Sequence, residues 1–390
     1  MIKTITIKNF KSIVDLTIKP GRLTVLIGEN GGGKSNILEA ISLGGAAASG
    51  NLNNEFMAVR GARITAPHIM RAAFQKDSTQ EPISLDFDDF NYQLTNDNKP
   101  YSKWQLQSSP PNYFGLEFKN LQKYFKEHPP ATISKDALTA TKLSEEVPAD
   151  LFNFIVNYDF FSTQLINAPH GLKSYVIYSP ENTTLRTFES ETQLEPLGAN
   201  GSGLFKLLKV LHQTSPKKIK EIKKNLCLIN WFHDFEIPDD LYTNETRIQI
   251  KDRYIDTEVG EYNQKNANEG FLFLLFYTTL LVSEETPTFF AIDNIEASFN
   301  PKLCTRLIST MADLAKKHGK QVIVTTHNPA ILDGVDLNDP DQKILVISRN
   351  KDGHTRAKEV RKPVVQEGEE PVKLSEAFLS GMLGGLPKGF

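Results

Sequence analysis

Cysteine is nearly absent. Cys227 and Cys304 are the only two in 390 residues. Two thiols cannot build a disulfide framework or a zinc site by themselves. Both are expected to be buried small hydrophobes. A long apolar run is also missing: the longest stretch, residues 271–282, is well short of the ~20 residues that cross a bilayer. Residues 1–7 alternate polar and apolar side chains and lack the charged and apolar regions of a signal peptide. A cytoplasmic protein without membrane contact is therefore expected. No excess of one charge exists, since 44 Lys and Arg face 47 Asp and Glu. That balance gives no global attraction to nucleic acid or anionic lipid. Heptad repeats and C-x-x-C pairs are missing too, which excludes long coiled-coil arms with a cysteine hook.

What is present is an α/β pattern at both ends of the chain. Residues 1–7, 16–18 and 23–27 read as strands, and 36–43 as a helix with Ile37, Leu38 and Ile41 on one face. Residues 82–94 alternate through Ile83, Leu85 and Phe87 and read as one antiparallel strand. The stretch 99–193 is irregular, and helices are expected over 203–212 and 216–228. From Gly270 the pattern returns: a helix over 270–282, a strand over 288–292, a helix over 302–318 and strands over 321–326, 343–348 and 357–361. The expected domains are an N-terminal lobe (1–90), a mixed, mainly helical insertion (91–247) and a C-terminal lobe (248–390).

Gly28 to Ser35 reads Gly-Glu-Asn-Gly-Gly-Gly-Lys-Ser, which satisfies G-x-x-x-x-G-K-[ST] at every fixed position. The loop follows an apolar strand and opens a helix. Glycines let the backbone wrap phosphates with N–H groups pointing inward, and the helix N-terminus adds a positive field. Asn30, Gly31, Gly32, Gly33 and Asn36 are candidate nucleotide contacts. Lys34 is the candidate point charge for the β- and γ-phosphates, and Ser35 a ligand for Mg²⁺. Residues 289–293 are four apolar residues ending in Asp293, the pattern of a buried strand that delivers a carboxylate to the metal shell.

Asn9, Phe10, Lys11 and Ser12, followed by the Gly-x-Asn-Gly-x-Gly-Lys-Ser-Asn loop, resemble the opening of RecF-, SMC- and OLD-type ATPases, the ABC class that does not transport. The resemblance covers both lobes and not the insertion. It implies an ABC-type ATPase head, a P-loop NTPase mixed sheet with helices, split by the insertion. It places Lys11 and Ser12 on the adenosine side, His327 as the switch residue facing the γ-phosphate, and residues 297–301 at the dimer-crossing loop. Asn268 and Gly270, at the start of a helix, stand where the family's Ser-x-Gly signature meets the partner's ATP. The residue after the Walker B aspartate is usually Glu, the base. Here it is Asn294, which cannot accept a proton. Either Glu296 takes that role or hydrolysis is slow.

Too few residues follow His327 for the Toprim nuclease of OLD enzymes. The chain therefore resembles ATPase subunits of Septu- and PARIS-type phage-defence systems, which pair with a nuclease or toxin. The expectation is an ATP-driven homodimer acting as sensor and scaffold for a separate effector. A RecF-like DNA-binding repair ATPase and a nucleotide-held scaffold without turnover remain as alternatives. Lys217, Lys218, Lys220, Lys223 and Lys224 are the residues DNA could use. Asp86, Asp88 and Asp89 read as a polar strand edge, with metal ligation as the alternative, and the apolar, Gly-rich residues 374–390 as a tail that docks on a partner or on the chain's own core.

Overall fold

The computed structural model describes residues 1–99, 102–107, 168–169, 171–187, 196–237, 247–256, 262–362 and 372–385. About half of the expected insertion lies outside these residues.

The first sheet is antiparallel, in the order β2 (Ile13–Ile18), β1 (Ile5–Phe10), β4 (Ile83–Phe87), β5 (Phe90–Thr95), β6 (Gln105–Gln107). Period-2 patterning sets its register: Ile5 opposes Ile18 and Phe87, and Ile7 opposes Leu16 and Leu85. All of these face the core. Residues 82–94 are not one strand but the β4–β5 hairpin. Asp88 takes φ 51 and reverses the chain, which a short polar side chain tolerates. Its Oδ1 accepts hydrogen bonds from the main-chain N of Lys3 and Thr4 at 2.9 and 2.8 Å. Asp88 is therefore a turn residue.

The second sheet runs β13 (Thr355–Glu359), β12 (Gln342–Arg349), β3 (Leu23–Ile27), β11 (Gln321–Thr326), β10 (Phe289–Ile292), β7 (Ile177–Tyr178). All neighbours are parallel except β13 on β12. Strands β3, β10 and β11 are buried at every residue, as expected for a parallel sheet covered on both faces. Alternate residues serve two cores. Leu26, Phe289, Ala291 and Ile323 face α1 (Lys34–Ala48) and the first sheet. Val25, Phe290, Ile292 and Val324 face a helical layer. That layer contains α5 (Leu204–Thr214), α6 (Pro216–Leu226), α7 (Glu269–Val282) and α8 (Pro301–Lys317). Before these come the short α2 (Asn54–Val59), α3 (Pro67–Met70) and α4 (Asn182–Thr187). A small hairpin, β8 (Phe232–Glu236) with β9 (Gln249–Asp252), packs Phe232 and Phe235 into the same core. Described residues of the stretch 91–247 thus enter both sheets and the helical layer.

Helix α7 is apolar all round and buried from Phe271 to Val282. This explains the longest apolar run in the chain: it is a core helix, and among the described residues no helix is long and apolar enough to cross a membrane. Gln321 ties the sheets together. Its Oε1 accepts from Ile2 N at 2.9 Å, and its Nε2 donates to the carbonyls of Ile2 and Gly21 at 2.8 and 3.0 Å. Of the two cysteines, Cys304 is buried as expected but Cys227 is exposed. The reason is positional: Cys227 caps the C-terminal end of amphipathic α6, beyond its buried face of Ile219, Ile222 and Leu226.

The described part of the tail, residues 372–385, docks on its own chain, and residues 386–390 lie outside the described residues. Helix α9 (Leu374–Leu379) packs beside the turn Pro329–Gly334, where Ser375 N and Oγ donate to the Asp333 carboxylate at 2.9 and 2.6 Å. The chain then brings Gly385, at φ +82, onto β12. A Cβ there would lie 2.3 Å from Val346 Cγ1 and 3.7 Å from Gly28 Cα.

Gly44, inside α1, gives a test of this layering. An alanine would normally favour a helix by ~1 kcal/mol. Here its Cβ would fall 2.4 Å from the ring of Phe87 in β4, and overpacking costs about 1–3 kcal/mol. Gly44→Ala is expected to lower the urea midpoint, opposite to the propensity effect.

Candidate functional site

The candidate site forms where three neighbouring strands end on the same edge of the parallel sheet. β3 delivers the phosphate loop, β10 delivers Asp293, and β11 delivers His327. Open α/β sheets bind ligands at the carboxyl ends of their strands, and the sequence places its chemistry there.

The loop backbone is built for close approach. Gly28, Gly31 and Gly33 have φ of 149, 75 and 112°, values that favour glycine. A Cβ on Gly28 would lie 1.9 Å from the Ile347 carbonyl, and one on Gly33 would lie 2.2 Å from Thr355 Oγ1. A Cβ on Gly31 would meet nothing within 4 Å, so that side is open to a ligand. Lys34 starts α1 and is buried at 6% exposure. Its Nζ folds back onto the carbonyls of Gly28 and Glu29 at 2.9 and 3.1 Å. Burial lowers its pKa, against the charges of Asp293, Glu296 and Glu29.

Ser35 Oγ donates to Asp293 Oδ2 at 3.4 Å, and Asp293 Oδ1 accepts from Thr325 Oγ1. A hydroxyl and a carboxylate this close are hard oxygen donors suited to Mg²⁺, which is commonly held by one or two carboxylates together with phosphates. Among the described residues no group of three or more His, Cys, Asp and Glu could hold a metal. One hydroxyl and one carboxylate fit a metal that would take its remaining ligands from phosphates and water. Asn294 sits at φ 53 and donates its main-chain N to Thr325 Oγ1 at 2.9 Å. Asn is among the few residues that visit this conformation readily.

The His327 ring reaches the Gly28 main chain and feels Lys34. Its main-chain N donates to Glu296 Oε1 at 2.7 Å. The structure thus brings Lys34, Ser35, Asp293, Glu296 and His327 together.

Lys11, Ser12 and Asn36 line a neighbouring cavity of about 450 Å³ with Arg63, Phe74 and Arg349. Asn36 Nδ2 donates to Ser12 Oγ at 2.6 Å. Buried Glu39 on α1 joins Lys11 Nζ at 2.5 Å and Arg63 Nε at 2.6 Å. Asn268 and Gly270 stand apart. They line a cavity of about 730 Å³ with Ser298, Asn300, Lys302 and Arg306, and no phosphate-loop residue reaches it. Asn268 Oδ1 caps α7 by accepting from Phe271 N at 2.8 Å.

Sequence reasoning did not find Thr355. Its Oγ1 donates to the Gly32 carbonyl at 3.0 Å and lies 2.7 Å from Ser12 Oγ. Only the fold brings β13 to the phosphate loop. Thr325 and Glu39 were missed as well, although Thr325 sits in the same strand as the His327 signal.

A glycine-rich loop between a buried strand and a helix, with a carboxylate at the end of a nearby strand, is the site of a P-loop ATPase. Across residues 1–332 the chain matches the AAA ATPase domain family, and it belongs to that family. No curated protein matches the sequence. The structure of an Smc head bound to the C-winged helix domain of ScpA superposes at TM-score 0.53 and 16% identity, covering 92% of this chain and 98% of that one. A Pyrococcus furiosus Smc head with an extended coiled coil, bound to the C-terminal domain of ScpA, gives 0.48, 16%, 92% and 96%. The Thermotoga maritima SMC head gives 0.43, 14%, 92% and 99%.

Burial first, and then the Lys34 charge, lower the His327 pKa from 6.5, while Glu296 and Asp293 offset part of this. The folded chain therefore binds this proton less tightly than the unfolded chain. Its contribution to stability is present above the unfolded value and is lost as pH falls through the folded one. NMR titration is expected to place His327 below 6.5, and Lys34→Ala to raise it.

Proposed function

We propose that the chain binds ATP with Mg²⁺ at the Gly28–Ser35 loop, hydrolyses it slowly, and dimerises on it. The observation that carries this is the 3.4 Å approach of Ser35 to Asp293 beside Lys34 and His327. Lys34 would exchange its two loop carbonyls for phosphate oxygens. Ser35 and Asp293 would hold the metal, whose chemistry is to neutralise charge on the phosphates. Lys11, Ser12 and Asn36 would face the nucleoside side. Asn30, Gly31, Gly32 and Gly33 would offer main-chain N–H groups.

Asn294 supports slow turnover, because it supplies no base where a carboxylate would orient water. The cavity at Asn268 and Gly270 is separate from the chain's own phosphate loop. That separation supports a head-to-tail dimer in which each copy's α7 terminus meets the other's nucleotide. ATP would then act as a population switch between open and closed pairs.

Beyond ATP, we read the chain as a sensor and scaffold for a separate effector in antiphage defence. Sequence resemblance alone carries this part. The superposed Smc head bound to a domain of ScpA offers an analogy for a head that docks another protein. A DNA-repair role draws less support: of the α6 lysines, Lys218 pairs with Glu284 at 2.9 Å and Lys223 with Asp234 at 2.8 Å. Those pairs leave less free charge for phosphates.

Turnover and solution mass with Mg²⁺-ATP test the reading. Wild type is expected to dimerise and turn over slowly, and Lys34→Ala to lose nucleotide binding by at least tenfold. Asn294→Glu is expected to raise turnover, by up to the ~10²–10⁴-fold typical of a positioned base. Fast wild-type turnover, or dimers that ignore ATP, would overturn it.

A further inference from the structure

Glu296, two residues beyond Asn294 in sequence, is the candidate to take over from the missing base, yet its geometry argues for another task. Oε1 already accepts the short hydrogen bond from His327 N. Oε2 is sealed from solvent and has no partner. A general base must present an oxygen within hydrogen-bond reach of the attacking water. Oε2 is not presented that way, and Oε1 is already engaged by His327 N.

The surroundings are those of a strut. The loop carrying Glu296 is fixed to the end of β11, where Asn294 N donates to Thr325 Oγ1 at 2.9 Å and Ile295 N to the Thr325 carbonyl at 3.1 Å. Behind the carboxylate stand two groups that sense its charge. The Tyr277 hydroxyl of α7 is buried and also unpartnered. Burial and then Glu296 push its pKa up. The Cys304 thiol of α8 is raised to about 11 by the same two causes. Asn328, next to His327, donates its Nδ2 to Cys304 Sγ at 3.5 Å and accepts from Ala330 N through Oδ1 at 3.0 Å. The segment after β11 is therefore held from two sides, by Glu296 at residue 327 and by Asn328 at the following turn.

We infer that Glu296 is a positioning residue, which fixes the His327 main chain so that the imidazole faces the terminal phosphate, and is not the proton acceptor for water. This rests on the proposed nucleotide site. It also gives a reason for burying an unpartnered carboxylate oxygen, a feature that normally requires explanation: the acceptor that matters is the other oxygen.

The test is the ratio of ATP to ADP affinity, read by titrating a fluorescent ATP and ADP analogue with Mg²⁺ on the full chain. Wild type is expected to prefer ATP. Glu296→Ala is expected to lose about tenfold of that preference, which is ~1.4 kcal/mol. Glu296→Gln should recover most of it, because its carboxamide oxygen still accepts from His327 N. His327→Ala should lose the preference too, and the double variant Glu296→Ala/His327→Ala should lose no more than either alone, the mark of residues acting as one unit. A Gln variant as impaired as Ala would overturn the inference in favour of a role for the charge. So would additive losses in the double variant, or a wild type that binds both nucleotides equally. Lys34→Ala separates the two levels: binding that survives it would sink the site reading itself. Melting curves on Glu296→Ala and Glu296→Gln show whether both remain folded.

Discussion

Helix α1 can lie only one way. Every residue from Ile37 to Ala48 is buried, so the helix must be covered by the first sheet on one side and the parallel sheet on the other. Burial at ~25 cal/mol per Å² of apolar surface gives this sandwich its energy. Because α1 follows β3 directly, its N-terminus must then open on the edge where β10 and β11 also end. The partial positive charge there, the inward N–H groups of the loop and the carboxylate of Asp293 meet as a result of packing that involves none of them.

Charge follows the same logic. Glu39 points from α1 into the interior and holds Lys11 and Arg63, one from the β1–β2 turn and one from beyond α2. Lys11 and Glu39 are both largely buried, so removing Glu39 would leave the Lys11 charge without compensation, a loss that typically costs about 3–5 kcal/mol. The cations that line the nucleoside-side cavity are therefore oriented by the same helix that opens the phosphate loop.

The legible parts of the sequence were those in which a local pattern carries the information. The P-loop, the apolar run ending in Asp293 and the strand ending at His327 each state their element and their chemistry within a few residues. The alternation of β1 and β4, the apolar faces of α5 and α8 and the continuous apolar run of α7 were readable for the same reason. The β4–β5 turn was not, since Asp88 breaks the strand through its backbone angle while the apolar pattern runs on. Cys227 was misplaced because helical phase near a cap decides exposure more than residue type does. Thr355 and Gln321 act on residues more than 300 positions away in sequence, and no window of sequence contains both ends. Glu296 was visible as a residue, but its part depends on which oxygen meets which N–H.

The contact between the tail and the phosphate loop constrains sequence variation. A Cβ on Gly28 would strike the Ile347 carbonyl, while one on Gly385 would strike the Val346 side chain and come within 3.7 Å of Gly28 Cα. Both glycines have left-handed backbones, and strand β12 separates them by a single residue step. Enlarging either one, or exchanging Val346 for a bulkier residue, shifts the shared wall. In related chains position 28 should therefore stay glycine, because its wall is main chain, while a larger residue at 385 should be matched by a smaller one at 346.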